Sequence, residues 1–392
     1  MAEQTSARLV TPAFVALTLS DLAYFTAGGM LIAGTPLFVT GPLSSGEAGV
    51  GLAMGSFSLT TLVLRPLAGR WTDRRGRRAL FVGGAAAFAV VALGHLAVSS
   101  LEALVVLRMV LGAAEAAYFV AGVAALADLA PAGRAGEALS LNSLALYAGM
   151  ALGPLLGQAL LETSGFDAVW VGAVVLAAVA ALLALRVPET RGEVDADAPP
   201  SPLVHGKALL PGFALFCGVA AMAGFLGFAA LQARAAGIER WSLVLFLFGG
   251  TVIVCRIVFA RLPDRVGALP VAAWALATSS AGFLLIGVVE TSGGLLIGAF
   301  ILGVGTAFLT PAVFALVFSS VPAAERGSAA ATTSVFIDLG LGSGPLLVGL
   351  VAGSTSIPDA FLVTAALPAL GSLVLLRRLR RMHRRSVLEG AT

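Results

Sequence analysis

Four charged residues lie where a charge is costly: Asp21, Arg108, Glu115 and Asp338 each sit well inside a long apolar run. A charged side chain in hydrocarbon costs about 3 kcal/mol unless paired or solvated, so each marks a polar cavity, an ion pair or a proton carrier. Carboxylates in such places take up and release protons, while a guanidinium stays charged and sets the local field. Arg108 and Glu115 are seven residues apart, nearly two helical turns, which puts them on one face about 10 Å apart along the axis. Glu115 is the first candidate for a protonatable carboxylate, since burial and the charge of Arg108 act on it in opposite senses. Asp21, about ten residues into its run, is the second. Asp338 is the third, because Gly340, Gly342 and Gly344 beside it also suit a packing or hinge role.

The elements that must hold these residues follow from composition. The 392 residues are 58% hydrophobic and 11% charged, against roughly 25% charged in a soluble domain. Cutting at polar, Gly and Pro punctuation gives twelve apolar runs, among them 13–39, 101–127, 137–161, 167–187, 207–233, 241–262, 292–319 and 327–352. Each is long enough to cross about 30 Å of hydrocarbon, where only helices or closed barrels satisfy the backbone. The expected class is therefore an all-α, multi-pass membrane protein. Its net charge of +3 comes from Arg at run ends rather than a continuous basic face, so no nucleic-acid partner is expected. Cys217 and Cys255 lie in apolar runs, and His95, His205 and His383 are scattered. No metal, cofactor or enzyme activity is expected from them.

The polar stretch 188–206 divides the runs into two sets of six. We expect an N-terminal six-helix bundle at 1–187, a flexible linker at 188–206, a C-terminal bundle at 207–378 and a basic tail at 379–392. With the amino terminus inside, Arg74, Arg75, Arg77, Arg78, Arg134, Arg265 and the tail arginines share one face, and only Arg234 and Arg240 fall on the other. By the positive-inside rule both termini are then cytoplasmic and the protein lies in the cell (inner) membrane.

The two sets repeat. Residues 65–76 (RPLAGRWTDRRG) and 256–267 (RIVFARLPDRVG) share five identities in twelve at a separation of 191, where roughly one is expected by chance. The same separation pairs Gly112 with Gly303, Gly153 with Gly344 and Pro154 with Pro345. Six helices per repeat preserve its sense, so the halves are parallel. Under this register Arg108, Glu115 and Asp338 fall opposite Ala299, Thr306 and Tyr147. These charges break the symmetry, which points to function. Arg65 and Arg256 repeat, and are expected as structural anchors.

Gly69–Arg78 (GRWTDRRGRR), between the second and third runs, resembles the loop signature of the major facilitator superfamily of secondary transporters, and 260–267 is its echo between the eighth and ninth. The resemblance implies the major facilitator fold of two pseudo-symmetric six-helix bundles. It also implies a conformational latch in which Gly69 allows close packing, Gly76 permits the turn, and Asp73 accepts from the end of a facing helix. Arg74, Arg77, Asp264 and Arg265 belong to that latch, with Asp128 as partner of a loop arginine. Arg108–Gly112 resembles the family's proton-coupling signature. Gly149, Gly153, Pro154 and Gly157 resemble its antiporter signature, although Gln158 and Ser140 depart from it.

The family's substrate cavity is lined by the first, fourth, seventh and tenth helices. Here that implies Tyr24, Phe25, Met30, Tyr118, Phe119, Phe225, Phe228, Gln232, Phe308 and Phe314. Such a wall is apolar, partly aromatic and short of the fixed polar groups a sugar needs. The expected function is proton-coupled antiport of lipophilic or amphipathic small molecules, such as drugs or antibiotics, by a monomer. Its partners are the substrate, protons and the bilayer. A symporter importing an organic acid or sugar is the alternative.

Overall fold

The computed structural model describes residues 9–131, 134–191, 205–259, 262–322 and 325–389. The side chains of Asp73 and Asp264, two of the expected latch residues, lie outside what it describes, as does most of the linker. The regular structure among the described residues is helical, with no strand. The helices are α1 (Pro12–Thr40), α2 (Glu47–Arg75), α3 (Arg77–Leu93), α4 (Leu101–Leu129), α5 (Ala135–Ala184), α6 (Gly206–Ala235), α7 (Ser242–Val258), α8 (Leu262–Val266), α9 (Ala268–Val288), α10 (Ser292–Ser320), α11 (Arg326–Ala352) and α12 (Ile357–Glu389).

Ten of these are long and apolar enough to cross a membrane. The twelve runs read from sequence differ from the ten spans at two places. Runs 137–161 and 167–187 share the fifty-residue α5, which is broken inside at Gly165 (φ 82°, ψ −173°). Run 241–262 becomes the shorter α7 of 17 residues, followed by the short α8.

The chain gathers into two units, one of Met1–Leu43 with Ser56–Ala198, the other of Ser44–Gly55 with Pro199–Thr392. The first turns of α2 thus belong with the second unit, because Gly51 and Gly55 lie against the backbone of α11. At the ends of the linker, Glu189, Thr190 and Arg191 are hydrogen-bonded within the first unit and His205 within the second.

The internal repeat is visible in backbone detail. Helix α4 is capped by Ser100, whose Oγ accepts from Ala103 N at 3.2 Å. Helix α10 is capped by Thr291, whose Oγ1 accepts from Gly294 N at 3.1 Å. Both are N-caps of the ordinary kind, and they stand 191 residues apart. Gly76 (φ 96°) and Gly267 (φ 100°) have the same separation and the same left-handed turn, a conformation side chains other than Gly rarely tolerate. Gly165 corresponds to Ser356, in the turn between α11 and α12. So α5 holds two helices' worth of the repeat.

Close helix packing repeats too. Lipid tails are as apolar as leucine, so helices in a membrane associate by close approach of small residues rather than by escape from water. In the first unit a side chain on Gly153 would stand 2.5 Å from the Thr26 carbonyl and 2.7 Å from Gly29 Cα. In the second unit a side chain on Gly344 would run into the Ala220 carbonyl. Gly112 lies against the Phe57 carbonyl and Gly303 against that of Phe248.

Candidate functional site

Helices α1, α4 and α5 of the first unit bring a buried polar cluster together. Asp21, on α1, is 7% exposed. Tyr118 of α4 donates through its hydroxyl to Asp21 Oδ1 at 2.7 Å, and Asn142 of α5 donates through Nδ2 to Oδ2. Ser20 Oγ lies 2.9 Å from the Tyr118 hydroxyl and donates to the Ala180 carbonyl, in the second arm of α5, at 2.8 Å. The chain Asp21, Tyr118, Ser20, Ala180 has three contacts in series. Its two hydroxyls supply two hydrogens. With Asp21 ionised, one contact is left without a hydrogen. With Asp21 protonated, every contact is made, from Asp21 through Tyr118 and Ser20 to the carbonyl.

Aromatic packing fixes this chain in place. The Tyr118 ring stacks on Tyr24 at 3.8 Å (10° between planes) and on Phe81 at 4.5 Å. Glu115, half-buried on α4, lies within electrostatic range of both tyrosines, as does Asp21. Phe25 meets Tyr24 and Phe119 edge-on, and the Arg65 guanidinium lies 5.0 Å over the Phe119 ring.

Arg108 is 3% exposed, with its guanidinium 4.9 Å over the Phe57 ring and close to His95. Asp21 thus accepts from Tyr118 and Asn142, both neutral donors. Asp338 is buried on α11 in the second unit.

Several expected wall residues pack inside their own unit. Phe225 touches the rings of Phe248, Phe283 and Phe361, at 5.4, 6.4 and 6.3 Å. Phe228 and Gln232 are buried on the same helix. Met30 lies against Gly157 and Gly172. Phe308 meets Phe259, and Phe314 meets Phe318.

The glycines of the antiporter-like stretch face α1. Gly149 meets Phe25 and Thr26, Gly153 meets Thr26 and Gly29, and Gly157 meets Met30. Gly340 and Gly344 meet α6 in the same manner. These glycines therefore serve helix packing in both units.

A second cluster surrounds the loop 69–78. Glu189, just past α5, places its carboxylate on the exposed amino end of α3: Oε1 accepts from Arg77 N at 2.9 Å and Oε2 from Arg78 N at 3.2 Å. Two donors that the helix leaves unsatisfied are thereby met, and the negative charge suits the helix dipole. Slight burial pushes the Glu189 pKa up, but the backbone N–H groups of Arg77, Arg191, Arg78 and Thr190 outweigh it and hold the carboxyl below its ordinary range. Asp128 Oδ2 accepts from Arg77 Nε at 3.1 Å and from Thr190 Oγ1 at 3.0 Å. Arg191 donates to the Arg74 carbonyl at 2.8 Å, and Arg78 to that of Leu185 at 2.8 Å. Arg265, in the second copy, is exposed. A side chain on Gly69 would meet nothing within 4 Å among the described residues.

Comparison with known proteins completes the description. The family model of the Major Facilitator Superfamily matches residues 14–239 and 234–391. The chain is 30% identical over 372 residues to an uncharacterized MFS-type transporter of Salmonella typhimurium, covering 92% of this chain and 94% of that one. Among solved structures, the human organic anion transporter TETRAN superposes with a TM-score of 0.73 at 18% identity, over 93% of this chain and 99% of that one. A bacterial homolog of the human lysosomal transporter Spinster, in an inward-facing and occupied conformation, gives 0.76 at 14% identity, over 94% and 96%.

Proposed function

The chain belongs to the major facilitator superfamily, and we propose that it is a proton-coupled secondary transporter exporting lipophilic or amphipathic small molecules. As a member of that family it is a multi-pass membrane transporter. The proton coupling rests on one observation, the series from Asp21 through Tyr118 and Ser20 to the Ala180 carbonyl, which lacks a hydrogen until Asp21 carries one. Asp21 thus precedes Glu115 as the proton carrier, and Glu115, within range of the same tyrosines, is the second site. Arg108 acts on them through its field.

Proton uptake at Asp21 would tighten α1 against α4 and α5, and proton loss would loosen that joint. This supplies a local two-state element of the kind rocking-bundle transport requires. The clusters at Glu189 and Asp128 fasten the loop of the first bundle, which supports the latch reading. Twelve crossings with both termini cytoplasmic accord with the arginine distribution.

The substrate class rests on Tyr24, Phe25 and Phe119, aromatic groups with few fixed hydrogen-bonding partners beside a titratable carboxylate. The glycines of the antiporter-like stretch carry no weight for direction, because the second unit uses the same packing. Direction rests on the substrate class alone.

The test is flux of lipophilic dyes in reconstituted vesicles under an imposed pH gradient. Export driven by the gradient in wild type and lost in Asp21→Asn supports the reading. Accumulation along the gradient would make the protein a symporter, and gradient-independent flux would remove the coupling.

A further inference from the structure

We propose that the second unit binds one anionic phospholipid, its acyl chain lying in the groove between α8, α9 and α12 and its phosphate on Arg265 and Arg380. The groove measures about 520 Å³ and is lined by Leu262, Val266, Pro270, Trp274, Ala277 and Leu376, among others. Its lining is almost wholly hydrocarbon. The hydroxyl at its wall, on Ser372, is already spent on the Ala273 carbonyl at 2.8 Å. With no polar group to offer, such a groove suits an alkyl chain rather than a polar metabolite.

Charge at one end chooses among lipids. Arg265 is exposed on α8 between the lining residues Leu262 and Val266. On α12, Ser372 and Leu376 share a helical face, and Arg380 continues it one turn further. Arg377, Arg378 and Arg381 lie on the same turns. Across 262–281 and 368–381 there are five arginines and one acid, Asp264. An arginine fork suits a phosphate, and a basic cluster where a spanning helix leaves the hydrocarbon attracts anionic lipid. Trp274 and Val266 are exposed in the groove, as expected of side chains that face lipid. The occupant that satisfies both the dry groove and the basic end is a phospholipid with a net negative headgroup.

Native mass spectrometry of the purified full-length protein tests this, with phosphatidylglycerol and phosphatidylcholine of matched chains added in equal amounts. Each arginine near an anionic group is worth about fivefold in binding. Wild type should therefore retain the anionic lipid roughly tenfold or more over the zwitterionic one, and Arg265→Gln with Arg380→Gln should bring the ratio close to one. Arg134→Gln, an exposed arginine of the other unit, should leave it unchanged. Ala277→Leu, which fills the groove, should lower retention of both lipids. Excess glycerol phosphate should displace neither. No preference in wild type, a preference that survives the double substitution, or displacement by glycerol phosphate would each overturn the proposal. The arginines are at the surface, so their variants fold and the result can be read even if Ala277→Leu does not.

Discussion

Glu189 fills the space where a side chain on Gly76 would stand, with both carboxylate oxygens turned onto the backbone N–H groups that open α3. Glycine is thus required at position 76 twice, by its left-handed turn (φ 96°) and by the carboxylate it must admit. Gly76→Ala should lower stability by about 1–2 kcal/mol, from turn strain and the lost cap together. Glu189→Gln should cost about 1 kcal/mol at most, since the amide oxygen keeps one hydrogen bond. Thermal unfolding in detergent measures both. A midpoint in Gly76→Ala equal to wild type would show the cap to be dispensable.

The same carboxylate predicts a pH dependence. Its pKa in the folded state lies below the ordinary value, so the stability it supplies is present above that ordinary value, about 4.3, and fades as pH falls through the folded one. The difference in unfolding midpoint between wild type and Glu189→Gln should therefore be constant from about pH 6 to 8 and shrink below about pH 4. A difference that grows on acidification would contradict the assignment.

Glycine packing gives a prediction that separates architecture from coupling. Gly153→Ala and Gly344→Ala each press a methyl against a backbone carbonyl, so each should destabilise the protein by about 1–3 kcal/mol. Comparable losses at the two positions agree with the repeat. Transport lost only in Gly153→Ala, with stability intact in both, would restore a special role to the antiporter-like stretch.

Much of this architecture was legible in the sequence, and the reasons are physical. The separation of 191 residues could be read because turns and close approaches constrain residue type tightly, as at Gly76 with Gly267 and Gly112 with Gly303. Asp21 could be found because a carboxylate in an apolar run is conspicuous. Its partners could not, since a membrane helix is apolar on all faces and offers no periodicity to show where Asp21 points. Asn142, the chain's single asparagine, and Ser20 were therefore missed, and Tyr118 was read as a cavity wall. Pro188–Arg191 was read as linker because its polar composition is that of any exposed turn. The signal was an acid, Glu189, directly after a helix that ends near an arginine-rich loop.

Tyr118 is the middle member of the hydrogen-bonded series. Tyr118→Phe keeps the ring stacked on Tyr24 and Phe81 but removes the hydroxyl between Asp21 and Ser20. Leaving those two groups short of a partner should cost about 1–3 kcal/mol and displace the pH profile of transport. Asn142→Ala, which removes a neutral donor to the other oxygen, should displace it as well. Profiles superposable on wild type in both variants would mean that the series does not handle the proton.

The proton on Asp21 can be observed without knowing the substrate. Infrared difference spectra of the reconstituted protein, recorded across a pH titration, report the carbonyl stretch of protonated carboxylic acids. The predicted result is a band from a buried carboxylic acid that is present in wild type, shifts in Tyr118→Phe and is absent in Asp21→Asn. A band unchanged by Asp21→Asn, and removed instead by Glu115→Gln or Asp338→Asn, would contradict the account.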